Sequence, residues 1–269
     1  MVESGSANAR WAETLSRWAI PDDLVAVAPE PPYFFDPRVF IDAADEAARR
    51  GEDTPSDEVA RDALPVGGVV LDVGVGAGAA SLRLGAARVI GVDPSPAMLD
   101  AFTKRASRLA VEATAIKGAW PDVAADTPRA DVAVCHHVAY NVADLAGFAT
   151  ALGQHAERRV VIELTAVHPM TWLSPYWKAL HGIVQPDRPV AADATEVLVE
   201  LGVEVHQRQW RRPVQMIGES GAEQVARIAR RLCLAPSRHD ELRTLLRGTP
   251  PPSERDVVTL WWDAADGHH

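Results

Sequence analysis

The chain of 269 residues has only two cysteines, Cys135 and Cys233, far apart and without metal or redox spacing. A disulfide framework is not expected, and a reduced, cytoplasmic setting is. No uninterrupted apolar run approaches the ~20 residues that a membrane-crossing helix needs, so no membrane partner is expected. Met1-Val-Glu-Ser-Gly-Ser6 lacks the basic region and apolar core of a secretory leader. Positive charge is also short: 27 Lys and Arg against 37 Asp and Glu give a net charge of −10. General nucleic-acid binders draw affinity from neutralised phosphates, so nucleic acid is not an expected partner. Internal repeats are missing, and nothing in the sequence fixes an oligomeric state.

What is present suits a soluble α/β protein: 47% hydrophobic and 24% charged residues, in a chain long enough to bury a sizeable core. Val69 to Val73 is a β-branched apolar run that reads as a buried strand. Gly74, Gly76 and Gly78 follow, and Ala79 to Leu84 reads as the start of a helix. Strand, glycine turn and helix N-terminus form a site for a polar cofactor group, because the backbone approaches closely and free N–H groups point at the ligand. Gly74-x-Gly76-x-x-Ala79 also fits the dinucleotide fingerprint. Asp72, two residues before the first glycine, argues for a cofactor with a cationic end, since a carboxylate there would repel a pyrophosphate.

Val89 to Val92 is a second buried strand with Asp93 at its carboxyl end, 19 residues after Gly74. An acid at that distance can accept hydrogen bonds from ribose hydroxyls. Ser95 can cap the next helix, with Pro96 at its first position. These two stretches, Leu71-Asp72-Val73-Gly74-x-Gly76-x-Gly78 and Val92-Asp93-x-Ser95-x-x-Met98-Leu99, resemble the first two motifs of the class I S-adenosylmethionine-dependent methyltransferases. The resemblance covers roughly residues 66 to 165. It implies a Rossmann-like, seven-stranded, mostly parallel sheet with helices on both faces, S-adenosylmethionine as cofactor, and methyl transfer to a small-molecule acceptor at O or N.

It further implies a cofactor site of Asp72, Gly74, Gly76, Gly78, Asp93, Pro94, Met98, Ala119, Trp120, Cys135 and His136. Within it, the glycines and Asp72 take the methionine end, Asp93 takes the ribose, and Cys135 contributes backbone. The family often has an acid where this chain has Ala119. Asp122 or backbone groups would then serve, and Trp120 either stacks on adenine or fills the core. After the strand Ala130 to Cys135, the run His136, His137, Tyr140, Asn141 lies where ligands bind, off the carboxyl ends of the strands. His137 is expected to be the general base, with Tyr140 and Asn141 orienting the acceptor. Asn141 stands where the family often carries His. Side chains alternate along a strand, so the two adjacent histidines should face opposite sides, and without a third ligand at standard spacing no metal site is expected.

The remaining elements are placed by periodicity. Helices are expected at Ala9 to Ile20, Val39 to Arg50, Ser56 to Leu64, Met98 to Ala110 and Ala192 to Gly202. Trp172, Tyr176 and His181 share one further helical face. Strands are expected at Ala113 to Ile116, Arg158 to Thr165, Val203 to Trp210 and Asp256 to Asp263, the last antiparallel. Residues 1–65 read as an N-terminal cap whose first eight residues are disordered and which Tyr33, Phe34 and Phe35 anchor. Residues 66–269 read as the methyltransferase domain, carrying a two-helix, Arg-rich insert at 219–247 expected over the pocket mouth. Two alternatives stay open: an NAD(P)-dependent oxidoreductase, which would use the same strand–turn–helix, and a non-catalytic methyltransferase-like binding protein.

Overall fold

The computed structural model describes residues 5–34, 37–214 and 221–264. Phe35, the insert's first residue Glu219, the start of the N-terminal eight and the final histidines lie outside that set. Four helices, α1 (Ala7–Ser16), α2 (Asp22–Val27), α3 (Pro37–Arg50) and α4 (Pro55–Ala63), precede the first strand. There follow β1 (Val69–Val73), β2 (Arg88–Asp93), α5 (Pro96–Arg108), β3 (Glu112–Lys117), β4 (Ala130–His136), α6 (Leu145–His155) and β5 (Ala156–Thr165). The chain continues through α7 (Ser174–His181), α8 (Ala191–Glu200), β6 (His206–Pro213), α9 (Gly221–Arg231), α10 (His239–Gly248) and β7 (Glu254–Asp263).

The strands form one sheet in the order β3-β2-β1-β4-β5-β7-β6. β1 to β5 pair in parallel, and β7 runs antiparallel to both β5 and β6. This is the expected Rossmann-like sheet. Alternation along the strands divides the core into two layers. Val70, Val89, Val132, Val134 and Val161 pack under α4, α5 and the segment after the glycine turn. Leu71, Ile90, Ala133, Val160 and Ile162 pack under α1, α6 and α8. The strand order reverses between β1 and β4, which opens the crevice for a ligand at their carboxyl ends.

Three local expectations change. No helix follows the glycine turn: residues 77–84 are a series of turns. The segment is bounded by left-handed glycines, Gly78 (φ +77°) and Gly85 (φ +85°), and its Ser81 hydroxyl is drawn inward to Asp72. The strand expected at Val203 to Trp210 begins three residues later. Val203 instead closes the end of α8, its N–H donating to the Leu198 carbonyl after Gly202 turns the chain at φ +77°. Helix α1 starts at Ala7 because Ser6 caps it, its side chain accepting from the Ala9 N–H.

The first 65 residues are distributed around the sheet. α1 joins the α6/α8 layer, where the buried Trp11 donates from Nε1 to the Val142 carbonyl at 2.8 Å. α4 lies on the opposite face, where buried Ser56 and Thr259 share a hydrogen bond of 2.7 Å. α3 sits beside the glycine turn, with Ala44 against Ala77 and Ala101. Residues around α2 join a satellite core of Ile20, Leu173, Tyr176, Trp177, Ile228 and Leu242 with α7, α9 and α10. That core lies at the sheet's carboxyl edge. Thr165 at the end of β5 pairs with Val257, and Pro213 pairs with Glu254, so both ends of the insert leave from there. Tyr33 and Phe34 are half-exposed rather than buried anchors; the guanidinium groups of Arg231 and Arg230 cover them at 5.1 and 5.5 Å from the ring centres. Among the described residues no helix is long and apolar enough to cross a membrane.

Candidate active site

The glycine turn is shaped from within. Gly74 adopts φ +73°, and a Cβ there would lie 2.3 Å from Val138 Cγ2, the loop that follows β4. Gly78 adopts φ +77°, and its Cβ would meet Leu82 Cδ1 at 2.5 Å. Both the backbone conformation and the space therefore require glycine. The N–H groups of Gly74 and Val75 donate to the Val92 carbonyl, and that of Gly78 to the Val75 carbonyl. The Gly76 N–H donates to Asp93 Oδ2 at 3.0 Å, and the Ser95 N–H donates to Asp93 Oδ1 at 2.8 Å. Asp93 thus clamps the turn to the start of α5, and each of its oxygens keeps a lone pair for a further donor.

Asp72 is buried at the end of β1. Its Oδ2 accepts from the Ser81 hydroxyl at 2.6 Å, while Oδ1 is buried without a hydrogen-bond partner among the described residues. Burial raises its pKa from the ordinary 3.8 to about 6, against the downward pull of Ser81 and of His136. An acceptor atom left bare in the interior is costly unless a ligand satisfies it. A cationic group placed there would restore the charged carboxylate. Met98 is buried, Pro94 is exposed, and the buried Cys135 thiol is pushed up by desolvation, so it stays protonated.

The end of β4 departs from simple alternation. His137 follows the last strand residue with φ +61°, uncommon for a side chain of this size. Its N–H donates to the Glu163 carbonyl at 2.7 Å. The twist brings both imidazoles to one carboxylate, contrary to the expectation of opposite sides. His137 Nε2 lies 2.9 Å from Glu163 Oε1, and His136 Nδ1 lies 3.8 Å from Glu163 Oε2. Arg212, from β6, reaches the same Oε1 at 3.2 Å and His137 Nε2 at 3.0 Å. The Glu163 side chain is 2% exposed and that of His137 39%. Burial opposes a charged Glu163, yet the charges of His136, His137 and Arg212, with the His137 hydrogen bond, outweigh it. The carboxyl is held well below the ordinary carboxylate range.

Other expected site residues lie elsewhere in function-relevant space. Tyr140 is buried, its hydroxyl donating to the Thr165 carbonyl at 2.8 Å and its ring stacked on Trp11 at 5.5 Å. Asn141 and Ala119 are exposed. Trp120 is buried, donating from Nε1 to the Phe148 carbonyl at 3.3 Å, with His155 against its edge; this is the core reading of that indole. His168, past β5, stacks on Trp18 at 3.8 Å, and burial with the nearby Arg231 lowers its pKa to about 4. The sequence alone assigns no role to Ser81, Arg212 or Glu163, the last placed at the end of the fifth strand. An acid in the run Val160-Val-Ile-Glu163-Leu-Thr165 was a usable signal for Glu163, because buried carboxylates need partners.

The comparisons with known proteins agree with this geometry. Residues 70–157 match the family model described as a methyltransferase domain. No curated protein matches the chain by sequence. Among solved structures, an S-adenosylmethionine-dependent methyltransferase from Thiobacillus denitrificans, in complex with S-adenosyl-L-homocysteine, is 19% identical with a TM-score of 0.53, covering 86% of this chain and all 100% of that one. The YcgJ protein of Bacillus subtilis is 16% identical with a TM-score of 0.53, covering 79% of this chain and 99% of the other. At these identities the likeness is one of fold. The match over residues 70–157 and the order of the sheet are those of a methyltransferase domain. The bare Oδ1 of Asp72 and the glycine cradle fit the cationic methionine end of S-adenosylmethionine.

Proposed function

We propose that this methyltransferase modifies a small molecule at an oxygen or nitrogen, with His137 as general base. The observation that carries the reading is an ionisable imidazole seated on a buried carboxylate at the sheet's carboxyl edge. When bound, S-adenosylmethionine supplies an electrophilic methyl group on sulfonium. Asp72 meets its ammonium, Gly74, Gly76 and Gly78 line the methionine end, and Asp93 accepts from the ribose hydroxyls. Pro94, Met98 and Ala119 border the nucleoside, while Cys135 and His136 border the methionine end. Trp120 supports the adenine corner from inside the core. His137 takes the proton that the acceptor loses, a contribution of about 10²–10⁴-fold where the acceptor is a hydroxyl. Alignment of the acceptor in a dry pocket supplies most of the rest. Asn141, exposed beside His137 in sequence, contacts the acceptor, and Tyr140 positions the loop through its bond to Thr165.

In this reading residues 66–269 are the catalytic domain, and helices from 1–65 and from the 219–247 insert cap it. The satellite core at the carboxyl edge supports a helical cap on the acceptor side. The free, buried cysteines suit a cytoplasmic setting. The test is calorimetry with S-adenosylhomocysteine and NAD, followed by a metabolite screen with wild type and His137→Ala. Binding of S-adenosylhomocysteine alone, and an acceptor whose turnover collapses in His137→Ala, is the expected result. An acceptor turned over at the wild-type rate by His137→Ala would remove the base assignment.

A further inference from the structure

The contacts around His137 leave one choice of proton position. Its Nε2 has two neighbours at hydrogen-bond distance: Glu163 Oε1 at 2.9 Å and Arg212 Nη1 at 3.0 Å. A guanidinium can only donate and an ionised carboxylate can only accept. If Nε2 is bare, it accepts from Arg212 at 3.0 Å but faces the carboxylate lone pairs at 2.9 Å, a repulsive contact inside the protein. If Nε2 carries the proton, it donates to Glu163, and Arg212 donates to the same oxygen at 3.2 Å. The second arrangement satisfies the buried carboxylate twice, and Glu163 needs both donors because it is almost fully enclosed.

We propose that Glu163 is a positioning residue that, with Arg212, fixes the Nε2–H tautomer of His137 and leaves Nδ1 as the proton-accepting atom. This rests on His137 being the base. The charges facing the imidazole come from every neighbouring strand. His136 shares β4 and approaches the other Glu163 oxygen at 3.8 Å. Glu163 lies on β5 and Arg212 on β6, and Arg255 on β7 stands directly opposite Arg212 in the register. The left-handed backbone at His137, pinned by its N–H to the Glu163 carbonyl, holds the ring in place. One residue thus fixes the histidine through both main chain and side chain.

The experiment is a long-range ¹H–¹⁵N spectrum of the full chain labelled at histidine, which needs neither cofactor nor acceptor. The His137 signals are assigned by their loss in His137→Ala. Wild type is expected to show a protonated Nε2 with a downfield, slowly exchanging N–H and a bare Nδ1. In Glu163→Gln that N–H should lose its downfield shift and exchange at least about tenfold faster, the equivalent of one charge-assisted hydrogen bond. Arg212→Gln, at a partly exposed position, should keep the Nε2–H tautomer. The proposal is overturned if wild type carries the proton on Nδ1, or if Arg212→Gln moves the proton from Nε2 to Nδ1. An Nε2–H signal unchanged in Glu163→Gln would also overturn it. Should Glu163→Gln fail to fold, the wild-type and Arg212→Gln spectra still decide. The base assignment itself is judged separately, by turnover in His137→Ala.

Discussion

The two ends of the crevice are built by different rules. At the β1–β2 end, polar groups are satisfied by neighbours close in sequence and largely by backbone. Asp93 accepts from Gly76 and Ser95, and Asp72 from Ser81, nine residues on. At the β4–β5 end, one buried carboxylate draws cations from separate strands, with Arg212 49 residues from Glu163 and 75 from His137. The first end is a preformed cradle with one bare acceptor atom at Asp72. The second is an ion cluster that places a titratable ring at the edge of solvent. Shape at one end and charge at the other is the division of labour expected of an enzyme that holds one ligand and deprotonates another.

That contrast can be broken most forcefully at Glu163. Glu163→Leu removes the buried carboxylate that His136, His137 and Arg212 share and should destabilise the fold by about 3–5 kcal/mol, as for other buried pairs broken from one side. Denaturant titration reads the loss. Because the folded carboxyl sits below its ordinary 4.5, its contribution is complete above that pH and fades as pH falls below it. At the cradle, Gly74→Ala forces a side chain into φ +73° and against Val138. We expect a loss of roughly 2–4 kcal/mol from the left-handed backbone and overpacking together, with weaker S-adenosylhomocysteine binding. Adding Val138→Ala should recover the steric part only; full recovery would show that backbone conformation at 74 does not matter.

Asp72 should behave in the opposite sense to Glu163. Its folded pKa of about 6 lies above the ordinary 3.8, so the native state holds a proton that the unfolded state releases between those values. Stability therefore falls as pH rises through that window, and Asp72 costs on the order of 2–3 kcal/mol at neutral pH in the unliganded protein. Asp72→Asn should raise the unfolding midpoint at pH 7, by less at pH 4, while weakening cofactor binding. A variant that is destabilised at pH 7 would contradict the burial argument. The smallest expected effect is Ser56→Ala, which leaves the buried Thr259 hydroxyl with only Trp210 Nε1 at 3.0 Å. About 1 kcal/mol should be lost, with no change in cofactor affinity.

The same contrast explains what could be read from the residues alone. β1, β2 and the glycine turn were legible because local geometry dictates residue type: a buried parallel strand needs Val and Leu, and a left-handed turn beside Val138 needs glycine. Parallel pairing followed from the alternation of strands and helices, and the seven-stranded sheet from the family resemblance. Ala79 to Leu84 misled because left-handed glycines bound the segment and its Ser81 turns inward to Asp72. His136 and His137 stand at the end of β4 as read, but not on opposite sides. The left-handed turn at His137 is set by a bond to the Glu163 carbonyl, which is a contact between strands. Arg212 left no trace, since the register of an antiparallel strand far along the chain brings it to the cluster. Tyr140 and Trp120 looked like ligand contacts because an aromatic with a polar tip serves equally well in a core, where both hydrogen-bond to backbone carbonyls.

The most direct test of this division is S-adenosylhomocysteine affinity, measured by calorimetry on wild type, Asp93→Ala and His137→Ala. The account predicts that Asp93→Ala weakens binding by roughly 2–4 kcal/mol, through two lost ribose hydrogen bonds to a charged group. It predicts that His137→Ala stays within about twofold of wild type, less than 0.5 kcal/mol. Affinity untouched by Asp93→Ala but lost in His137→Ala would reverse the roles of the two ends.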